Sequence, residues 1–170
     1  RGLTVQVAYL VNHYDWQPRP QELLDALWDM GIRHYPVIGP FPDHYVLSLE
    51  AAQQSFGEDN VIAYQVGLLR RFKPLVAVGH DREGEYGHGA HRLNALALEQ
   101  AVVYAADASY DPESAAQYGV WDTPKLYLHF ADENPIVLDV ETPLSSFGGL
   151  TAFEVASAAM LRHESQLQYA

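Results

Sequence analysis

The chain has 170 residues, a length that suits one domain with a single core. Hydrophobic residues make up 48% and charged residues 19%, and no stretch approaches about 18 uninterrupted apolar residues, which argues against a membrane span. The formal charge of −12 repels phosphate backbones and argues against nucleic acid as a partner, while the absence of cysteine excludes both a disulfide framework and a thiolate zinc site. Any metal must therefore be held by His, Asp or Glu, and eight His residues are present. Without cysteine the compartment stays open, with the cytoplasm as the default expectation. Oligomeric state is equally open, a homo-oligomer included.

The chain opens with Arg1-Gly2, which reads as the last turn and C-terminal glycine of a preceding helix, so an incomplete N-terminus is expected. Leu3 to Val11 is short and apolar on both faces, the pattern of a buried parallel strand. A turn region with two prolines follows, Asn12 to Pro20. Gln21 to Met30 carries Leu23, Leu24, Leu27 and Trp28 at helical spacing and is ended by Gly31. Arg33 to Ile38 is a second strand candidate, and Gly39 to His44 a proline-bearing loop. A helix is expected from Glu58 to Lys73, stopped by Pro74. Leu75 to Val78 is the clearest buried strand. A third helix runs from about His91 to Ala106, Lys125 to Phe130 and Pro135 to Val140 are further strand candidates, and Thr151 to His163 is a last helix. Strands alternating with such helices imply a mostly parallel sheet covered on both faces, with ligands at the carboxyl ends of the strands. No G-x-G-x-x-G or Walker loop follows any strand candidate, which counts against a nucleotide binder.

The segment Gly79 to His91 follows the clearest strand directly. Three His, one Tyr and three acids fall within these thirteen residues, and three glycines after Gly79 let the backbone turn sharply. A solvated loop does not need this composition. His88 and His91 stand three apart at the start of a helix and can share one face. By spacing alone H-x-x-H is a weak metal signal. The plainer alternative is one His packed against the helix start and the other solvated. His13, His34 and His44 lie in or near loops with no spacing that ties them together, and His129 reads as a packed or hydrogen-bonded residue.

The stretch Val78 to Arg92, with GEYGHGAHR at its end, resembles the second signature, usually G-E-Y-G-H-P-D-H-R, of the zinc-dependent de-N-acetylases called the PIG-L or LmbE-like family. The resemblance runs over nearly the whole chain in order. Arg19 and Glu22 resemble the family's Arg-x-x-Glu helix start, and Phe41-Pro42-Asp43 resembles its sugar-contacting P-D loop. Trp121 to His129 resembles the W-x-x-P-K-x-Y segment, and His163 to Gln166 the H-x-S-Q ending. Only the GEYGH-x-x-H loop is specific; the other matches gain weight from their order and spacing.

The resemblance implies a fold and a chemistry. The fold is a Rossmann-like three-layer α/β/α domain over residues 1–170, with its first strand missing. The activity is zinc-dependent removal of the acetyl group from an N-acetylated amino sugar or glycoconjugate, an N-acetylglucosamine moiety. By the same resemblance His91 is the third metal ligand, His88 assists by polarising the carbonyl and stabilising the oxyanion, and Tyr86 is a rim tyrosine that donates to the oxyanion. Arg19, Asp43 and Tyr86 contact substrate. Two departures stand out. Gly89-Ala90 replaces the family's Pro-Asp, whose Asp orients the neighbouring His; Asp81 or His163 is expected to substitute. The family's A-H-P-D-D motif, source of two zinc ligands and the general base, does not occur in these 170 residues. The chain is therefore expected to offer one zinc ligand and, alone, neither to hold zinc nor to turn over. A non-catalytic carbohydrate-binding relative is the alternative.

Overall fold

Residues 3–169 are described by a computed structural model; the reading made for Arg1-Gly2 lies outside them. The chain divides into two units, residues 44–135 and residues 3–43 with 136–169.

In the first of these units two helices lie together, α2 (Leu49–Phe56) and α3 (Glu58–Phe72), followed by the three-residue strand β1 (Ala77–Gly79). A 3-10 turn (Glu85–Gly87) leads into α4 (Gly89–Ala105), then α5 (Pro112–Tyr118) and strand β2 (Leu126–Leu128). The apolar positions expected on α3 form its buried face: Val61, Ile62, Val66 and Leu69. They meet a run of small residues on α4, Ala97, Ala101 and Ala105, all fully buried, with Leu93. Small side chains let the two backbones approach closely, and burying a side chain the size of Leu93 contributes about 2 kcal/mol. Gln65 seals the same seam by donating to the carbonyl of Asn94 at 3.1 Å.

Among the described residues Arg70 is the largest wholly buried side chain, and it holds the far end of α4. Its guanidinium donates to the carbonyls of Tyr104 (3.1 Å), Ala105 (3.2 Å), Asp107 (2.7 Å), Tyr110 (2.9 Å) and Asp111 (2.9 Å), and to Ser114 Oγ (3.0 Å). The last turn of α4 has carbonyls without intrahelical donors and a negative dipole end, and a buried cation answers both needs.

β1 and β2 pair in parallel, Ala77 opposite Leu126 and Gly79 opposite Leu128, with Leu98 of α4 packed near Gly79. A parallel pair flanked by helices is the α/β pattern expected. Its strands are shorter and less buried than the apolar run Leu75 to Val78 suggested. Only Ala77 is buried, and Leu75 and Val78 are exposed, because β1 alternates faces and pairs with a single neighbour.

The second unit holds α1 (Arg19–Asp29) and α6 (Ala152–Met160), which pack through Leu23, Ala26, Leu27, Val155 and Ala159. The capping box of Thr151 and Glu154 starts α6. Residues 3–11 do not form the expected continuous buried strand. They are extended and touch residues 37 and 41 through the isolated parallel bridges Ala8–Val37 and Val11–Phe41, with Leu3 exposed. Residues 135–140 form no strand: Ile136, Val137 and Leu138 are exposed, and this apolar run pairs with no strand among the described residues. The chain after α6 is tied to α1 by Arg162, whose Nε donates to Asp29 (2.5 Å), and by Ser165, whose hydroxyl (2.7 Å) and N–H (2.8 Å) both donate to the buried Glu22 carboxylate. The Ser165 hydroxyl is the main reason that carboxyl lies below its ordinary value of 4.5; burial opposes the shift, and the Ser165 N–H, His163 and Arg19 assist it.

Replacing Arg70 with Met leaves several buried carbonyls without donors. Each costs about 1–3 kcal/mol, so Arg70→Met should lower the unfolding free energy by at least about 3 kcal/mol in urea titrations; an unchanged midpoint would refute the capping role. Because Glu22 is held below its ordinary value in the folded state, its contribution is present above pH 4.5 and fades as pH falls further. Ser165→Ala should therefore lower the melting temperature at pH 7, with the gap from wild type closing below pH 4.5. A gap independent of pH would contradict that account.

Candidate functional site

The parallel register of β1 and β2 decides what stands at their carboxyl edge. Gly79 and Leu128 are partners, and the N–H of His129 donates to the Gly79 carbonyl at 3.2 Å. The next residue on each strand is a histidine, so His80 and His129 emerge side by side. After His80 the chain reverses: the Gly84 N–H donates to the Asp81 carbonyl, and Gly84 has φ +74. A Cβ at Gly84 would sit 2.7 Å from both the His88 carbonyl and Arg92 Cγ, so glycine is required on two counts. This reversal lays Glu85 beneath the two histidines, and the first turn of α4 brings His91 to the same place.

Glu85 is the centre of the cluster. Its Oε2 lies 2.7 Å from His80 Nδ1 and 3.0 Å from His91 Nδ1, and its Oε1 lies 3.1 Å from His129 Nδ1. The Asp81 N–H also donates to Oε1 at 3.2 Å. Burial pushes the Glu85 carboxyl up, but the N–H groups of Glu85 and Asp81, the charge of His80 and the His129 hydrogen bond outweigh it and hold it at about 2. An ionised carboxylate only accepts, so the Nδ1 atoms of His80 and His129 must carry the protons they share with it. The rings of His80 and His91 stack at 4.2 Å, within 1° of parallel. Burial, with His80 and His88 nearby, lowers the pKa of His91 against the opposing pull of Glu85, which favours the neutral ring a metal needs. Although 3.0 Å from Glu85, His91 Nδ1 is buried and makes no aligned hydrogen bond.

His88 lies beside His91, ring centroids 4.9 Å apart, with Tyr45 at 5.5 Å on another side. Its Nδ1 is buried and has no hydrogen-bond partner among the described residues. The expected substitute, Asp81, instead caps its own turn, accepting from the Glu83 N–H at 3.1 Å. Gly89 stands where the family has Pro, and the structure supplies a reason. Its N–H donates to the Val46 carbonyl at 2.9 Å, a bond proline cannot make, and a Cβ there would lie 2.1 Å from the Ser48 carbonyl oxygen. Tyr86 is 95% exposed, with φ 62, at the outer tip of the 3-10 turn.

The remaining candidates lie in the other unit and gather there. Arg19 Nη2 is 3.3 Å from His13 Nε2, and His13 Nδ1 is 2.9 Å from Asp43 Oδ2. His13, which sequence spacing left unconnected, thus joins two expected substrate contacts. A cleft of ≈ 250 Å³ opens beside it, lined in part by Asn12, Tyr14, Leu23 and Tyr35. His163 adjoins the same group; burial first, then Arg19 and His13, lower its pKa, with Glu22 opposing.

Sequence reasoning missed His80, Glu85 and His129 as one group. The signal available was positional: each histidine directly follows a short apolar run. Imidazole and carboxylate are donors that zinc accepts, and one ligand atom each from His80, Glu85 and His91 lie within 4.8 Å of one another, so the residues present fit a divalent cation.

No family model matches the sequence. Curated relatives do. The chain is 36% identical over 117 residues to the 1D-myo-inositol 2-acetamido-2-deoxy-alpha-D-glucopyranoside deacetylase 2 of Saccharopolyspora erythraea, covering 64% of this chain and 42% of that protein. It is likewise 36% identical over 117 residues to deacetylase 1 of Catenulispora acidiphila, covering 64% of this chain and 35% of that one. A shorter match, 35% over 69 residues, links it to the deacetylase of Geodermatophilus obscurus. The chain thus spans less than half the length of the curated relatives it matches. With the GEYGH-x-x-H loop on its α4 entry and these deacetylases as its curated homologues, the chain is a relative of the PIG-L or LmbE-like de-N-acetylases.

Proposed function

We propose that this chain forms part of a zinc-dependent hydrolase that removes the acetyl group from an N-acetylated amino sugar, with a glucosamine–inositol conjugate as the leading substrate class. The observation that carries the reading is the adjacency of His88, the N-cap of α4, and His91 on its first turn, within a loop that matches the family signature. The same reading includes a Rossmann-like three-layer domain spanning residues 1–170.

Zinc, when bound, supplies Lewis acidity towards the amide carbonyl and a water whose pKa falls towards about 7. His91 contributes a neutral imidazole to hold it, and Glu85 stands within reach of that ring. His88 carries its second ring nitrogen one ring away from His91. Protonated, it donates to the oxygen of the acetamide as negative charge develops there, a contribution of about 10²–10³ in kcat for a single oxyanion donor. Tyr86, at the exposed tip of the turn, donates to the same oxygen when the loop folds over substrate. Arg19 and Asp43 act as sugar hydroxyl contacts, held by His13 between them. A general base in the family's pattern belongs to the A-H-P-D-D segment, which is not among these residues.

One observation favours a second reading. His88 Nδ1 is buried without a partner where the family's Asp would orient it, as expected of a carbohydrate-binding relative that has lost turnover. The two readings separate on free-amine release from an N-acetylglucosaminyl inositol, measured with zinc-loaded protein expressed from its complete reading frame. The hydrolase reading expects release, and in His88→Ala a fall in kcat of about 10²–10³ with KM nearly unchanged. Saturable sugar binding with no amine released would establish the second reading instead.

A further inference from the structure

We propose that the cleft beside His13 is a subsite for an uncharged apolar group carried by the substrate, an aromatic or alkyl aglycone on the amino sugar, so that the substrate class extends beyond an inositol conjugate. This rests on the reading of Arg19 and Asp43 as sugar contacts and adds a neighbouring site within the same unit.

The cleft forms where two extended segments end against a helix. Residues 7–12 and 37–41 run side by side. The Tyr9 N–H donates to the Val37 carbonyl at 2.8 Å, the Val37 N–H to the Val7 carbonyl at 2.9 Å, and the Asn12 N–H to the Phe41 carbonyl at 3.0 Å. Gly39 permits this approach, since a Cβ there would lie 1.8 Å from the Leu10 carbonyl oxygen. The carboxyl end of such a parallel pair is where ligands collect in α/β folds. Helix α1 closes one side with Leu24. The space is ≈ 250 Å³. That is room for a single ring, below the roughly 300–1,000 Å³ usual for drug-sized ligands.

The lining selects the occupant. Val11, Leu24 and Ile38 supply half-buried aliphatic walls, and Tyr14 and Tyr35 stand at the rim, 63% and 71% exposed. Both tyrosines are tied through their backbones. The Tyr14 N–H donates to Asn12 Oδ1 at 3.1 Å, and the Tyr35 carbonyl accepts from Gln6 at 3.0 Å. Neither hydroxyl makes a hydrogen bond among the described residues. A tyrosine ring offers a broad apolar face with a polar edge, which suits a flat group entering from water. The lining includes no Lys, Arg, Asp or Glu. An ionic occupant would lose its hydration there without gaining a counter-charge, so a neutral one is favoured.

His13 joins this cleft to the sugar contacts. Its side chain is 10% exposed, its Nε2 lies 3.3 Å from Arg19 Nη2, and its Nδ1 lies 2.9 Å from Asp43 Oδ2. Its backbone is left-handed, φ 54, a conformation that non-glycine residues seldom keep outside binding and catalytic sites. A sugar held by Arg19 and Asp43 therefore has the cleft one side chain away, within reach of the group attached to it.

Titration calorimetry with the deacetylated products, phenyl and methyl α-D-glucosaminide, tests the cleft on zinc-loaded protein expressed from its complete reading frame. The phenyl glycoside should bind about tenfold tighter or more. Tyr14→Ala and Tyr35→Ala should each reduce that preference severalfold. Leu24→Phe, which fills the space with apolar volume, should abolish it with circular dichroism unchanged. His34→Asn, exposed and outside the cleft, should keep it. The ratio of kcat/KM for the two N-acetylated glycosides should follow the same order. Equal or absent affinity for the two products in wild type overturns the proposal, and amine release from both acetylated glycosides would then leave the hydrolase reading intact. A phenyl preference that survives all three cleft variants also overturns it, because the preference would arise elsewhere. So does tighter binding of glucosaminyl inositol than of the phenyl glycoside, with that advantage lost in Tyr35→Ala, since the cleft would then select a polyol. A cleft-dependent phenyl preference with no amine released would sink the hydrolase reading and support this one.

Discussion

The site depends on one ionised carboxylate. Glu85 is partly buried, and burial alone would favour its neutral form. It stays charged because two backbone N–H groups and two histidines surround it, and that charge in turn fixes which way the imidazoles turn. All three of His80, His91 and His129 approach this one carboxylate through Nδ1, at 2.7, 3.0 and 3.1 Å. Each feature that delivers Glu85 to this position has its own physical cause: the in-register parallel pair, the left-handed turn at Gly84, and the close approach of the Val46–Ser48 backbone to Gly89.

The packing behind the loop serves the same end. α4 is clamped at both termini, by the Gly89 N–H at its start and by Arg70 at its finish, and its small-residue face lies against α3. A helix fixed in this way cannot slide, so His88 at its N-cap and His91 on its first turn stay in register with the strand ends. The use of a buried guanidinium as a helix cap is costly in desolvation and is repaid only because nearly every N–H finds an acceptor.

Much of this was legible from the residues. The helix expected from Glu58 to Lys73 is Glu58–Phe72, and the one expected from His91 to Ala106 is Gly89–Ala105. Both carry clear apolar spacing or composition and clear stops. Two shorter helices were not anticipated. α2 depends on the Ser48 hydroxyl capping Ala51, and α5 starts from Asp111 in a left-handed conformation that caps Ser114; neither carries a long apolar stripe. The run Pro135 to Val140 looked like a strand because apolarity was read without knowledge of a pairing partner. The Glu85 cluster was hidden for a related reason. His129 lies 44 residues from Glu85, and only strand register brings them together. In the other unit, the ties among His13, Arg19 and Asp43 are likewise tertiary, and no spacing announces them.

The most direct test of this arrangement is the protonation site on the two strand-end imidazoles in the metal-free chain. Long-range proton–nitrogen correlation spectra, recorded where the rings are neutral, distinguish Nδ1–H from Nε2–H. An ionised Glu85 at the hub predicts Nδ1–H on both His80 and His129. Protons on Nε2 of both rings would mean that the carboxylate does not organise them, and the account of the site would fail.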